Sequence, residues 1–280
     1  MSAFDTPGPV SATVDLPIGT VRVVAADRPD TVVDVRADSA DREQADAVRV
    51  DLTGDELRVT GRPLGLLQKL SPRTPGRSLE VVVDLPAGSS LTVRTGYGDV
   101  TTEGPLGACD IDARYGDVRI GEAAEARIVA GYGRIAVTGT VDGDATLTAD
   151  HGGVRAGRIG GTATLRSKHG LVRADELAGP ADLTGTHGDI EIDAADADVR
   201  ARTSYGGVRI GRLTRGEVSL SSTHGRLEAG IAATTAAWLD LDTGARIDNE
   251  LTAREDPTGF TEKVAVTARS REGDIVIRRA

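Results

Sequence analysis

Between residues 91 and 247, apolar and polar side chains alternate in short runs that recur at a nearly fixed interval. The segments "ATLTADHGGVRAGRIGG", "ATLRSKHGLVRADELAG" and "ADLTGTHGDIEIDAADA" share one pattern. Each predicts a short alternating strand, a glycine corner, a second short strand, and a turn carrying one central aliphatic residue. With the residue before each corner glycine as an anchor, the anchors fall at 97, 115, 132, 151, 169, 187, 205 and 224, and Thr243-Gly244 reads as a ninth. The steps are 17 to 19 residues. Four residues before the anchors runs an aliphatic column that includes Val93, Ile111, Ile128, Leu147, Leu165 and Leu183, and three after them a second that includes Val100, Val118, Ile135, Val154 and Val172. The positions two before are small: Thr95, Ala113, Ala130, Ala149, Ser167 and Gly185 among them. Stacked layers of one coil each, at an inter-strand spacing of ~4.8 Å, account for such columns. The predicted fold is all-β, a parallel β-solenoid with coils of about 18 residues.

The anchors are Tyr97, Tyr115, Tyr132, His151, His169, His187, Tyr205 and His224, which are every Tyr and every His in the chain. They share the parity of the columns four and two residues earlier, so alternation predicts rings turned into the core at the corner, with the following glycine supplying a left-handed or otherwise Cβ-intolerant corner conformation. Stacked coil on coil, they form a structural ladder. Adjacent His rungs also raise the question of a metal. Two ligands of one zinc lie under roughly 4.2 Å apart, closer than ladder spacing, and Tyr alternates with His along the row. Stacking is the favoured reading, with no metal and no cofactor.

Residues 1–90 do not follow the period and are expected to form an N-terminal β-sheet cap leading into the solenoid at 91–247. They hold two copies of strand, Asp-Leu-Pro, glycine turn, strand ("VDLPIGTVRVV" and "VDLPAGSSLTV"), and "AVRVDLTGDELRVTG" between them predicts a hairpin turning at Thr53-Gly54-Asp55. The Pro-rich stretch 61–78, with Leu64, Leu66, Leu67 and Leu70, reads as a plug for the solenoid end or as a docking loop. Residues 248–280 are expected to be an irregular segment followed by closing strands around Gly273-Asp274, with Pro257 and the charges of Arg278 and Arg279 guarding the last edge. These devices predict a monomer or small closed oligomer.

Composition narrows the function. A net charge of -10 argues against nucleic-acid binding, which needs clustered positive charge. Aromatics are 2% of the chain, so the core must be aliphatic. The single Cys109 excludes an internal disulfide and falls in an inward column of alanines, where it packs. The start "MSAFDTPGPV" has no secretory pattern and no run approaches a membrane span, so the expected location is cytoplasmic, with no integral membrane segment.

For catalysis the chain offers little. Coil steps of 17 to 19 leave no long loops to build a cleft, and Asp99, Asp117 and Asp189 follow corner glycines, where bonding turn amides is the expected role. No catalytic residues are assigned. A ligand or partner face could lie on the outward side of the second strand, at Arg119, Arg155, Arg173 and Arg209, for an acidic protein or an anionic glycan. Interleaved Glu191 and Glu228 favour instead a solvated, self-paired surface. An ice-binding plane would need flat rows of Thr, and only Thr146 and Thr148 form such a pair.

The units Tyr-Gly-Asp-Val at 97–100 and 115–118, His-Gly-Asp-Ile at 187–190, and the Asp-Leu-Pro-x-Gly lead-in at 84–88 resemble the bacterial putative-adhesin family of β-strand-repeat proteins, domain of unknown function 4097. The resemblance spans residues 10 to 280. It implies the solenoid fold, no catalytic residues, and a setting in the cell envelope or stress response. The expected function is a non-catalytic scaffold or interaction module; the alternative is a β-helix protein that binds or processes polysaccharide.

Overall fold

The structure, a computed structural model, describes residues 1–62, 78–252 and 259–280. The leucine cluster expected to plug or dock (Leu64, Leu66, Leu67, Leu70) and Pro257 lie outside the described residues. Among these the chain is β throughout, apart from one five-residue helix at Arg42–Asp46. It is a parallel β-solenoid that divides into two units, Met1–Gly139 and Thr140–Ala280.

The strands of the first unit are β1 (Ser2–Asp5), β2 (Ser11–Ile18), β3 (Thr20–Ala26), β4 (Asp30–Arg36), β5 (Arg49–Thr53), β6 (Glu56–Thr60), β7 (Glu80–Pro86), β8 (Ser90–Tyr97), β9 (Val100–Glu103), β10 (Pro105–Tyr115), β11 (Val118–Ile120), β12 (Glu122–Tyr132) and β13 (Ile135–Val141). The coils β8/β9, β10/β11 and β12/β13 stack in parallel. Alternation sends one side chain in and the next out, and register places like on like: Val93, Ile111 and Ile128 form one buried column and Val100, Val118 and Ile135 another.

The parallel stack does not start at residue 91. β2 pairs in parallel with β8 and β3 with β9, while β6 and β7 pair in parallel with the other edges of β2 and β3. The first coil in sequence is therefore sandwiched between two later ones. Among the described residues β1, β4 and β5 run antiparallel, β5 on β6, β4 on β7 and β1 on β4, and these cover the outer layer. The expected hairpin is β5–β6, and Gly54 supplies its left-handed turn at φ 59°. The two Asp-Leu-Pro copies end strands of different stacks, the first on β2 beside β6 and β8 and the second on β7 beside β3.

In the second unit the strands are β14 (Ala145–His151), β15 (Val154–Ile159), β16 (Ala163–Ser167), β17 (Val172–Leu177), β18 (Ala181–Gly185), β19 (Ile190–Ala195), β20 (Val199–Arg202), β21 (Val208–Leu213), β22 (Gly216–Ser222), β23 (Leu227–Ile231), β24 (Thr235–Thr243), β25 (Ile247–Asn249), β26 (Glu262–Ser270) and β27 (Ile275–Arg279). Leu147, Leu165, Leu183, Ala201, Leu220 and Ala268 make one continuous column. Val154, Val172, Ile190, Val208, Leu227 and Ile275 make a second. These positions are at most 1% exposed, so an aliphatic core suffices without aromatics.

The C-terminal order departs from the sequence order. β26 lies between β22 and β24, and β27 between β23 and β25, so the last coil is inserted one layer in and β24/β25 form the outermost layer. Two expectations change. Arg278 and Arg279 do not guard the final edge: Arg278 sits opposite Gly230 and its Nε lies 2.8 Å from Glu228, and Arg279 donates to the carbonyls of Ala232 and Thr235. Thr243 is not an anchor either. It aligns with Ser270 and, through β26, with Ser222, the small position two residues before a corner, and its hydroxyl donates to the Gly273 carbonyl at 2.7 Å. A step of 19 matched the period by coincidence, because the true neighbour of the His224 coil comes from residues 262–279.

Candidate interaction surface

Each coil reaches its glycine corner at the end of its first strand. In the first unit the rings of Tyr97 and Tyr115 stack with centroids 4.7 Å apart, and Tyr115 and Tyr132 at 5.0 Å. In the second unit His151, His169, His187, Tyr205 and His224 stack successively at 4.9 to 5.0 Å, with interplanar angles of 1° to 8°. The spacing is that of the strands themselves.

The rings do not face the core. The four tyrosines are 37% to 57% exposed, and all four histidines lie at the surface. Their inward placement, expected from alternation, fails because strand phase reverses at the corner. Inward positions run Val93, Thr95 and then Val100, an odd step of five, and the ring falls inside that reversal. The corner interior is also full. Ser167, Thr203 and Ser222, two residues before their anchors, are buried and donate to the carbonyls of Gly152, Gly188 and Gly206 at 2.8 to 2.9 Å. Each corner glycine then lies over the one in the preceding coil. A Cβ on Gly116 would come within 3.0 Å of the Gly98 carbonyl, and one on Gly188 equally close to that of Gly170. Glycine is required here by close approach of two backbones. What the sequence did not reveal is the next rung after His224, which is Glu272, with its Oε2 3.6 Å from the imidazole Nε2. The signal was present: Ser270-x-x-Gly273-Asp274-Ile275 repeats the corner pattern of Ser222-x-x-Gly225, displaced in the chain.

The aspartates after the glycines bond amides one coil further on. Asp99 accepts from the Asp117 N–H at 2.8 Å, Asp117 from Arg134 at 2.8 Å, and Asp189 from Gly207 at 2.7 Å. Burial alone would raise the Asp117 carboxyl, but hydrogen bonds from the Arg134 amide and guanidinium outweigh it and hold it below the usual value.

The arginine face lies on the second strands. Arg119 on β11 sits opposite Thr101 and Ala136. Arg155, Arg173, Glu191, Arg209 and Glu228 occupy one row of the second unit. Arg173 contacts Asp175, Glu191 and Asp193 at 3.3, 2.9 and 2.7 Å, Arg155 contacts Asp175 at 3.5 Å, and Arg209 contacts Glu228 at 3.6 Å. The row is thus largely neutralised in place. Such exposed pairs contribute little stability individually.

Among the described residues, no group of three His, Cys, Asp or Glu converges to hold a metal, and no helix is long and apolar enough to cross a membrane. Cys109 is buried between Leu91 and Ala126, and burial pushes its thiol up to about 12. An open groove in the second unit is lined by Ser221, Ser222, Asp242, Arg269 and Ser270. The Ser222 and Ser270 hydroxyls are committed to backbone carbonyls, and Arg269 is bound to Asp240 at 2.6 Å.

The chain is similar to crystal structures of putative adhesins from three bacteria. That from Bacteroides fragilis is 12% identical over 100% of this chain and 95% of its own, with a TM-score of 0.37. Those from Parabacteroides merdae (13%, 99% and 94%, 0.38) and Parabacteroides distasonis (14%, 99% and 95%, 0.40) match over similar spans. No curated protein matches the chain. The family described as Toastrack DUF4097 matches residues 14–278, nearly the whole solenoid including the inserted last coil, and the chain belongs to that family.

Proposed function

We propose that the protein is a non-catalytic interaction scaffold whose recognition surface is the outward ring stripe. One observation carries this reading. A chain with 2% aromatics places all four tyrosines and all four histidines at solvent-facing glycine corners, while among the described residues no aromatic ring is buried in the core. The ring faces are covered by their neighbours in the stack, so the stripe offers ring edges, phenol hydroxyls and imidazole nitrogens at one per layer. A rigid row of amphipathic rings recognises a partner at low entropic cost, since the rings are already ordered. The partner we favour is a protein; an anionic glycan is the other candidate, with Arg119, Arg155, Arg173 and Arg209 on the neighbouring strand face. In this reading the scaffold acts from the cytoplasm in a response to envelope stress.

The test is comparative capture from native-host extract and from a panel of anionic glycans. The wild-type chain is set against His169→Ala/His187→Ala/Tyr205→Ala and against Arg155→Ala/Arg173→Ala/Arg209→Ala. Loss of a specific partner with the ring variant and retention with the arginine variant supports the proposal. Equal capture by wild type and ring variant contradicts it.

A further inference from the structure

We propose that the C-terminal end of the solenoid is a self-association edge, where a second copy of this chain pairs its own β24 antiparallel to β24 and closes a symmetric dimer.

The first and second units close their outer layers differently. At the N-terminal end the outer coil β6/β7 is covered by antiparallel β4 and β5. At the C-terminal end β24 pairs with β26 and β25 with β27 on one side, and among the described residues no strand pairs with the other side. β24 is nine residues long, against four to seven for the strands β16 to β22. A long bare edge presents a row of unpaired N–H and C=O groups that seeks another strand.

The side chains point the same way. Ala237, Leu239 and Leu241 continue the inward column of Val264, Val266 and Ala268. One layer in, that column is at most 3% exposed; on β24 its members are half-buried, because the next layer is missing. The outward row of β24 carries Trp238, the chain's single tryptophan, which is 79% exposed.

The sequence of β24 fits a second copy of itself. A two-fold axis needs a strand that is complementary to its own reversal. Centring the antiparallel pair on Leu239 uses all nine residues and sets Ala237 opposite Leu241 on the inner face. On the outer face it sets Trp238 opposite Asp240 and Ala236 opposite Asp242, so no two carboxylates meet. Moving the axis to Asp240 would oppose that carboxylate to its own copy, which is unfavourable. Growth stops at two copies, because a two-fold pairing uses the same edge of both chains.

The experiment uses the full chain. Sedimentation equilibrium over a wide concentration range is combined with Trp238 emission, which reports this edge alone. We expect twice the chain mass, with emission shifting to the red as dilution releases monomer. Trp238→Lys and Leu239→Lys should sediment as monomers, with the circular dichroism of Trp238→Lys unchanged. Under oxidation Leu239→Cys should give a covalent dimer, since directly opposed strand residues lie within disulfide reach. Asp242→Cys should not, because its copy lies six positions along the pair, about 20 Å away. A monomer at every concentration overturns the proposal, including one with blue-shifted emission, which would mean that the chain covers its own edge. So does a dimer retained by Trp238→Lys, or an open-ended series of masses.

Discussion

Replacing Tyr115 by Ala separates an outward ring from a buried one. Tyr115 stacks on Tyr97 at 4.7 Å and on Tyr132 at 5.0 Å, and it is 37% exposed. A stacked aromatic pair contributes about 0.5–1.5 kcal/mol beyond the area it buries, and two pairs at the surface place the loss near the low end of their sum, about 1–2 kcal/mol. No cavity forms, since the ring leaves solvent-side space. The reference is Ile111→Ala in the same strand: Ile111 is 0% exposed, between Val93 and Ile128, and its truncation should cost about 2–5 kcal/mol through lost transfer energy and an unfilled void. Denaturant unfolding followed by far-UV circular dichroism ranks the two variants. A Tyr115→Ala loss equal to or larger than that of Ile111→Ala would refute the outward assignment and restore a core role for the ring.

Three other outcomes follow from the same geometry. Cys109, with its thiol raised to about 12 by burial, should resist alkylation in the native protein at neutral pH and react only on unfolding, as mass spectrometry of iodoacetamide-treated samples would show. The Asp117 carboxyl is held below its ordinary value when folded, so its stabilisation is present above the unfolded value and lost as pH falls through the folded one; Asp117→Asn should therefore be less stable than wild type at neutral pH, with the gap closing on acidification. Gly188→Ala should destabilise the second unit, because its Cβ meets the Gly170 carbonyl, whereas Gly54→Ala, with open space but a left-handed φ of 59°, should cost about 1 kcal/mol by strain alone in thermal melts.

Much of this architecture was legible in the chain. Columns such as Leu147, Leu165 and Leu183 announced the coil, and their register is the one that the period gives. Two things were not. Ring direction does not follow from the parity of the first strand, because the phase reverses at the corner; the columns four before and three after the anchor differ by an odd number and so encode that reversal. Layer order was hidden for a different reason. A periodic pattern says which residues share a column, but it does not say that β2/β3 would slip between β6/β7 and β8/β9, or β26/β27 between β22/β23 and β24/β25. Every aliphatic coil satisfies its neighbours nearly equally well, so adjacency is decided by how each end is closed. The arginine face illustrates a third limit: the alternation placed Arg173 outward, but its three carboxylate partners come from its own strand and the next coil, and only the register brings them together.

The central claim, that the ring stripe stands in solvent along the glycine corner, is tested most directly by residue-resolved labelling of the folded protein: nitration of tyrosine and acylation of histidine, quantified by mass spectrometry against the unfolded chain. The structure predicts that Tyr97, Tyr115, Tyr132 and Tyr205, and the histidines His169, His187 and His224, are modified in the native state while circular dichroism remains native. Protection of these rings until the protein unfolds would contradict the outward stripe and, with it, the recognition surface built on it.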